Sequence, residues 1–196
     1  MLFKNIRPLV LASQSPRRVE LLRRLGLDFI QKGADVDESP LPSEEPEAYC
    51  LRLAGEKAAM VARDYVYDWV LAADTIVVRE GRILGKPRDQ DEACSMLQAL
   101  AGNWHQVITA FSLHNLSLNS EFSCADATQV RFSVLSPSLI AAYVGSGEPM
   151  DKAGAYAMQE LGAFFVEGIK GSPTTVIGLP LPLVVSKLLE FKIIAV

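Results

Sequence analysis

The stretch Leu-Val-Leu-Ala-Ser-Gln-Ser-Pro-Arg-Arg-Val-Glu-Leu-Leu-Arg-Arg-Leu-Gly, residues 9–26, confines the start of this chain to one local geometry. Residues 9–12 are a short apolar run of the kind a buried strand shows. Ser15 is a preferred N-cap type, and Pro16 suits the first helical position, where its missing N–H costs nothing. Leu21, Leu22 and Leu25 form the apolar stripe, and Gly26 ends the helix by tolerating a left-handed conformation. A strand that turns into a helix N-terminus aims backbone N–H groups at one point, a ready anion site. Arg17 and Arg18 in that first turn oppose the helix macrodipole by roughly a few tenths of a kcal/mol. A polyphosphate reverses the penalty, because arginine's planar fork matches phosphate oxygens and Ser13 and Ser15 add hydroxyl donors. The competing reading makes both arginines surface ion pairs, with Glu20 or with the acidic loop that follows.

Further along, residues 35–46 are rich in Asp, Glu and Pro and read as an exposed loop. A second helix starts at Glu47, with Tyr49, Leu53, Ala54, Ala58 and Val61 on its apolar side and Lys57 and Arg63 on another face. Residues 69–73 and 76–78 read as strands interrupted by Asp74-Thr75, and Glu80-Gly81 as the turn into a partner at 83–84. Helices are expected at 89–101, stopped by Gly102, at 137–144 and at 181–191. Long strands are expected at 106–116 and 127–135, and shorter ones at 163–166 and 175–177. This order predicts a mixed α/β fold whose sheet is not purely parallel. At 196 residues the chain suits one domain or two small lobes.

Asp74 stands out as a carboxylate between two apolar runs. Buried there, it must neutralise, find a cation or ligate a metal, which makes it a candidate general base or metal ligand. The plainer alternative is an aspartate that caps a turn. Lys86, between Gly85 and Pro87, is held at a strand end, and residues 151–159 are polar at both ends and small in the middle. Taken singly, Lys86 and Lys152 read as solvated charges.

Several chemistries are excluded. No Walker loop occurs, since Gly168-Ile-Lys-Gly-Ser has the last residues in the wrong order and reads as a turn. A G-x-S-x-G elbow is absent, and His105 and His114 lack zinc spacing. The net charge of −4 argues against a nucleic-acid-coating protein. Cys50, Cys94 and Cys124 lack C-x-x-C spacing and read as free thiols of a reducing compartment. With neither a signal-peptide pattern nor a membrane-length apolar run, a cytoplasmic, membrane-free protein is expected.

Taken together, Ser13-Gln-Ser-Pro-Arg-Arg18, Ala73-Asp-Thr75, Gly85-Lys-Pro87, Leu100-Ala-Gly-Asn-Trp-His105 with Thr109, Asp151-Lys-Ala-Gly154, Gln159 and Gly178-Leu-Pro-Leu181 resemble the Maf family in order and spacing. The resemblance spans nearly the whole chain. It implies a single Maf-like domain over residues 1–196, an elongated mixed sheet with flanking helices in two lobes around a central cleft, similar to the inosine triphosphate pyrophosphatases and often dimeric. It also implies a nucleoside triphosphate pyrophosphatase that uses a divalent cation, Mg²⁺, Mn²⁺ or Co²⁺. Carried over by position, the catalytic acid falls on Asp74 and the phosphate-binding positions on Ser13, Ser15, Arg18, Lys57 and Lys86. Glu38 and Asp74 are the implied metal ligands. Arg17, Thr75 and Gln159 match the subfamily that acts on dTTP and UTP. Two departures are Glu160, where glycine is usual, and Pro173, where an aromatic residue is common. The rival from another class is a regulatory nucleotide-binding protein that affects septum formation without turnover.

Overall fold

The structure is a computed structural model and describes residues 2–196. In chain order it comprises β1 (Lys4–Asn5), β2 (Leu9–Ala12), α1 (Pro16–Arg24), β3 (Ile30–Lys32), α2 (Pro46–Ala62), β4 (Trp69–Arg79), β5 (Arg82–Leu84), α3 (Gln90–Leu100), β6 (Trp104–Asn115), β7 (Ser120–Phe132) and α4 (Pro137–Gly145). Three 3-10 turns follow, Glu148–Asp151, Ala153–Ala155 and Leu161–Phe165, then β8 (Val166–Lys170), α5 (Pro173–Ile177), α6 (Leu181–Glu190) and β9 (Ile194–Ala195). The main sheet has the order β3-β2-β4-β6-β7-β8, with β5 on β4. It is mixed, as the element order predicts: β2 is parallel to β3 and β4, whereas β5 and β8 are antiparallel to their neighbours. Among the described residues no helix is long and apolar enough to cross a membrane.

The chain forms two compact units. The first takes in the residues up to Asp74, Thr109–Asp126 and Gly178–Val196, and the second takes in Thr75–Ile108 and Ala127–Ile177. Within the first, Ala58, Val61 and Ala62 of α2 pack on Val10 and Ala12 of β2 and on Val70 and Ala72 of β4. Most of these side chains are small, so helix and sheet approach closely. Alternation along β4 then places Asp74 on the face shared by Val70 and Ala72, toward α2. At the other end of α6, Phe191 stacks on Trp69 with ring centroids 5.0 Å apart. The core of the second unit gathers Leu97 and Leu100 of α3, Ile140 and Tyr143 of α4, Phe132 and Phe165.

Four local expectations are corrected. Asp74-Thr75 does not interrupt a strand, because β4 runs unbroken from Trp69 to Arg79. Residues 163–165 belong to a 3-10 turn, and the strand begins only at Val166, so that Gly168-Ile-Lys is strand rather than turn. The β-branched run at 175–177 is helical, opened by Pro173 and held by Ser172, whose N–H donates to Thr128 Oγ1 at 3.0 Å. Finally, the strand expected at 127–135 starts earlier, at Ser120, and ends at Phe132.

Candidate active site

β2 delivers Ser13 at its end and α1 starts three residues later. Ser13 is buried, and its Oγ accepts from the Ser15 N–H and from Arg18 Nη1, both at 3.2 Å. Arg18 Nε donates to the Gly178 carbonyl at 2.8 Å, which fixes the guanidinium from both sides. Burial pushes the Arg18 guanidinium below its ordinary value, while Asp74 and, more weakly, Glu38 pull it back up. Ser15 is the N-cap residue of α1 in position, yet its side chain makes no capping bond and no acidic residue lies in the first turn. Glu20 pairs with Arg24, so the ion-pair reading of Arg17 and Arg18 through Glu20 is overturned. Arg17 lies half-buried in that first turn.

The second part of the site is a shared ammonium. Lys57 was expected on another face of its helix from the apolar stripe; it is instead buried, at one register with Cys50, Ala54 and Val61. Its Nζ donates to Asp74 Oδ1 at 2.7 Å and to Glu38 Oε1 at 2.6 Å. The Lys57 and Asp74 side chains are only 11% and 12% exposed, so water screens this pair little. That answers the problem posed by the carboxylate in β4: it finds a cation. Cys50 Sγ donates to the Asp74 carbonyl at 3.3 Å, accepts from the Ala110 N–H at 3.3 Å and stands 4.0 Å from Asp74 Oδ2. Burial, with the Asp74 charge second, pushes the Cys50 thiol up to about 12, so it stays a neutral donor. The Tyr49 hydroxyl donates to the Glu38 carbonyl at 2.7 Å, and burial together with Asp74 and Glu38 pushes it up to about 12.

Ser13, Ser15, Arg18, Glu38, Lys57 and Asp74 therefore belong to the first unit and form one bonded or electrostatically linked set. Thr75, Lys86 and Gln159 are carried by the second unit. Thr75 follows Asp74 on β4 and points to the opposite face of the strand. Lys86 is exposed, and the Gly154 N–H donates to the neighbouring Gly85 carbonyl at 3.0 Å, which ties its loop to the turn after Asp151. Gln159 is exposed, with Nε2 donating to Glu160 at 3.3 Å. Lys152 is not a solvated charge: it is buried against the Glu148 carbonyl, Asp151 and Glu160. The sequence pattern assigns no site role to Tyr49, which reads as an apolar-side residue, to Cys50, which reads as a free thiol, or to Arg52.

Among the described residues no cluster of three or more His, Cys, Asp or Glu side chains is arranged to hold a metal by itself. Beyond the bond each makes to Lys57, the Asp74 and Glu38 carboxylates are the groups that could hold a cation of the magnesium type, which takes one or two carboxylates and completes its shell with water and phosphate oxygens.

Comparison with known proteins shows the family. The family model "Maf-like protein" matches residues 8–191. The chain belongs to the Maf family. It is 44% identical over 196 residues to the dTTP/UTP pyrophosphatase of Desulfotalea psychrophila, covering the whole of both chains. The dTTP/UTP pyrophosphatase of Anaeromyxobacter dehalogenans is 53% identical over 175 residues, 88% of each chain. That of Myxococcus xanthus is 49% identical over 173 residues, 88% of this chain and 87% of its own. Among solved structures, the Staphylococcus aureus Ham1 protein aligns with a TM-score of 0.44 at 14% identity over 64% of this chain and 72% of that one, too distant to bear on the activity.

Proposed function

We propose that this Maf protein is a nucleoside triphosphate pyrophosphatase that converts dTTP and UTP to the monophosphate and pyrophosphate. The observation that carries the reading is the buried Asp74, held on Lys57 with Glu38 and within electrostatic reach of Arg18. A carboxylate so placed, beside cations and next to the helix N-terminus that follows Ser13, suits the activation of a water against an anionic substrate. The Desulfotalea psychrophila relative that matches this chain end to end bears that activity in its name.

Ser13, Arg18 and the N–H groups of the first turn of α1 bind phosphate oxygens, and Lys57 and Lys86 add positive charge. Asp74 Oδ1 is occupied by Lys57, so Oδ2 is the atom that orients a water and takes its proton as the water attacks phosphorus. Cys50 anchors the backbone of Asp74, which keeps that oxygen from drifting. A divalent cation, Mg²⁺, Mn²⁺ or Co²⁺, held by Asp74 and Glu38 would neutralise phosphate charge when bound. Positioning and charge compensation supply most of the rate in such a reaction. Arg17, Thr75 and Gln159 set the base preference. The Gln159 amide offers a donor and an acceptor to a pyrimidine edge, and a site built on such pairing rejects bases that leave its polar groups unpaired. We place the activity in the cytoplasm.

The test is a pyrophosphate-release assay over common and modified nucleoside triphosphates with each of the three cations. Pyrophosphate from dTTP and UTP, and its loss in Asp74→Asn, is the expected result. Silence across the panel, or an Asp74→Asn protein within a few-fold of wild type, overturns it.

A further inference from the structure

The acidic loop between β3 and α2 is exposed, as its composition suggests, yet it is tied down at several points. Within it the Glu44 N–H donates to the Leu41 carbonyl at 3.1 Å. The Ser39 N–H donates to Asp37 Oδ1 at 2.9 Å, and further support comes from α2. Arg52 sends Nε to Glu44 Oε1 at 2.7 Å and Nη2 to Glu44 Oε2 at 2.8 Å, a two-point fork, and the same Nη2 reaches the Ser39 carbonyl at 3.1 Å. The Glu44 side chain is 8% exposed and that of Arg52 20%, so this is a packed ion pair rather than a solvated one. Glu44 Oε2 also accepts from the Leu41 N–H at 3.0 Å. One turn earlier on the helix, Tyr49 holds the Glu38 carbonyl, and the Arg52 guanidinium lies 5.4 Å from the Tyr49 ring centroid. Both ends of the segment 38–44 are thereby tied to the helix that carries Lys57.

We propose that Arg52 is a positioning residue for the pyrophosphatase reaction, acting through Glu44 and Ser39 to keep the Glu38 carboxylate on Lys57. The proposal rests on the functional reading above, in which Glu38 works beside Asp74. Arg52 touches neither carboxylate of that pair. It acts by closing a loop that otherwise has to pay its ordering entropy at each encounter with substrate. Lysine does not replace it, because a point charge cannot reach both oxygens of Glu44 and the Ser39 carbonyl in one plane.

The experiment compares wild type, Arg52→Lys, Arg52→Met and Glu44→Gln, each with and without Glu38→Gln, in dTTP turnover, thermal unfolding and amide hydrogen exchange. With Glu38 present, Arg52→Met lowers kcat/KM tenfold or more; with Glu38→Gln in place the further loss is under twofold. Arg52→Lys stays within threefold of Arg52→Met, and the Leu41 amide exchanges at least threefold faster in both. Should Arg52→Met fail to fold, Glu44→Gln carries the same expectations. Equal losses in the two backgrounds, or an unchanged Leu41 exchange rate, overturn the proposal. A wild-type protein that releases no pyrophosphate instead overturns the enzymatic reading, and Leu41 exchange still decides whether Arg52 clamps the loop.

Discussion

Asp74 was legible because its context was wrong for a carboxylate. An acid among Leu71, Ala72, Ala73, Ile76 and Val77 demands a partner, and the partner is Lys57, seventeen residues earlier. Lys57 itself was harder to see: a lysine on a helix normally faces water, and only the close packing of small residues on α2 and β4 turns it inward. Glu38 carries no local signal at all in an acidic loop and was named only through family resemblance. Two outcomes follow from the shared ammonium. Asp74→Asn keeps an oxygen for Lys57 but loses the basic carboxylate, so kcat is expected to fall about a hundredfold or more, the range that general bases supply, with thermal stability near wild type. Lys57→Met removes the ammonium that both carboxylates contact, leaving Asp74 buried without it; a loss of about 3 kcal/mol in urea unfolding is expected, as for other broken buried pairs. A Lys57→Met protein as stable as wild type shows that the ammonium is not what lets Asp74 stay in the strand.

At the scale of elements, sequence pattern located helices better than it located breaks. The helix at 89–101 was bounded correctly because its ends are chemical: Asp89 accepts from the Glu92 N–H at 2.8 Å, Glu92 reaches back to the Arg88 N–H at 2.8 Å, and Gly102 takes a φ of 68° just past the end. Asp89→Ala removes the cap and should cost about 1 kcal/mol, read as a shift in urea midpoint at unchanged slope. Where the pattern failed, tertiary contacts outweighed it. Asp74 looked like a break in β4 because the sequence does not reveal the cation beneath it. The Thr-Thr-Val-Ile run favours a strand by residue type, yet the Ser172 and Thr128 hydrogen bonds and Pro173 commit it to a helical turn. The turn after Asp151 is a different kind of element, held by shape: Gly154 has a φ of 67°, and a Cβ there would stand 2.8 Å from Val77 Cγ2. Gly154→Ala combines left-handed strain with overpacking, and a loss of about 2 kcal/mol is expected by the same measurement. A change below about 0.5 kcal/mol would show that the turn yields freely.

For the whole molecule, the α/β class and the mixed sheet were readable from the order of elements, whereas the division into two units was not. Strands β4, β6 and β7 each pass from one unit to the other without a linker, so composition marks no boundary. The pH dependence of stability is likewise a property of the whole fold, and between about pH 4 and 6.5 a clear source lies on β6. His105 is buried between Phe132 and Tyr156, at centroid distances of 4.9 and 5.5 Å. Its Nε2 meets the Tyr156 hydroxyl at 2.8 Å, and among the described residues Nδ1 has no hydrogen-bond partner. Burial, with a smaller push from Arg79, lowers the imidazole from 6.5 to about 4. The folded state thus prefers the neutral ring, and between those values the unfolded chain binds more protons. The stabilisation is complete above pH 6.5 and drains away as pH falls toward 4, by at most on the order of 3 kcal/mol. His114, lowered by its own burial, works in the same direction. Glu44, drawn down to about 2 chiefly by its hydrogen bond to Arg52, adds its share only below about 4.5. Unfolding free energies measured from pH 5 to 7 should therefore rise with pH in wild type and rise less steeply in His105→Asn, whose side chain does not titrate. Parallel curves for the two proteins would mean that the imidazole is charged, or solvated, in the folded state, and that the pH response of this molecule originates elsewhere.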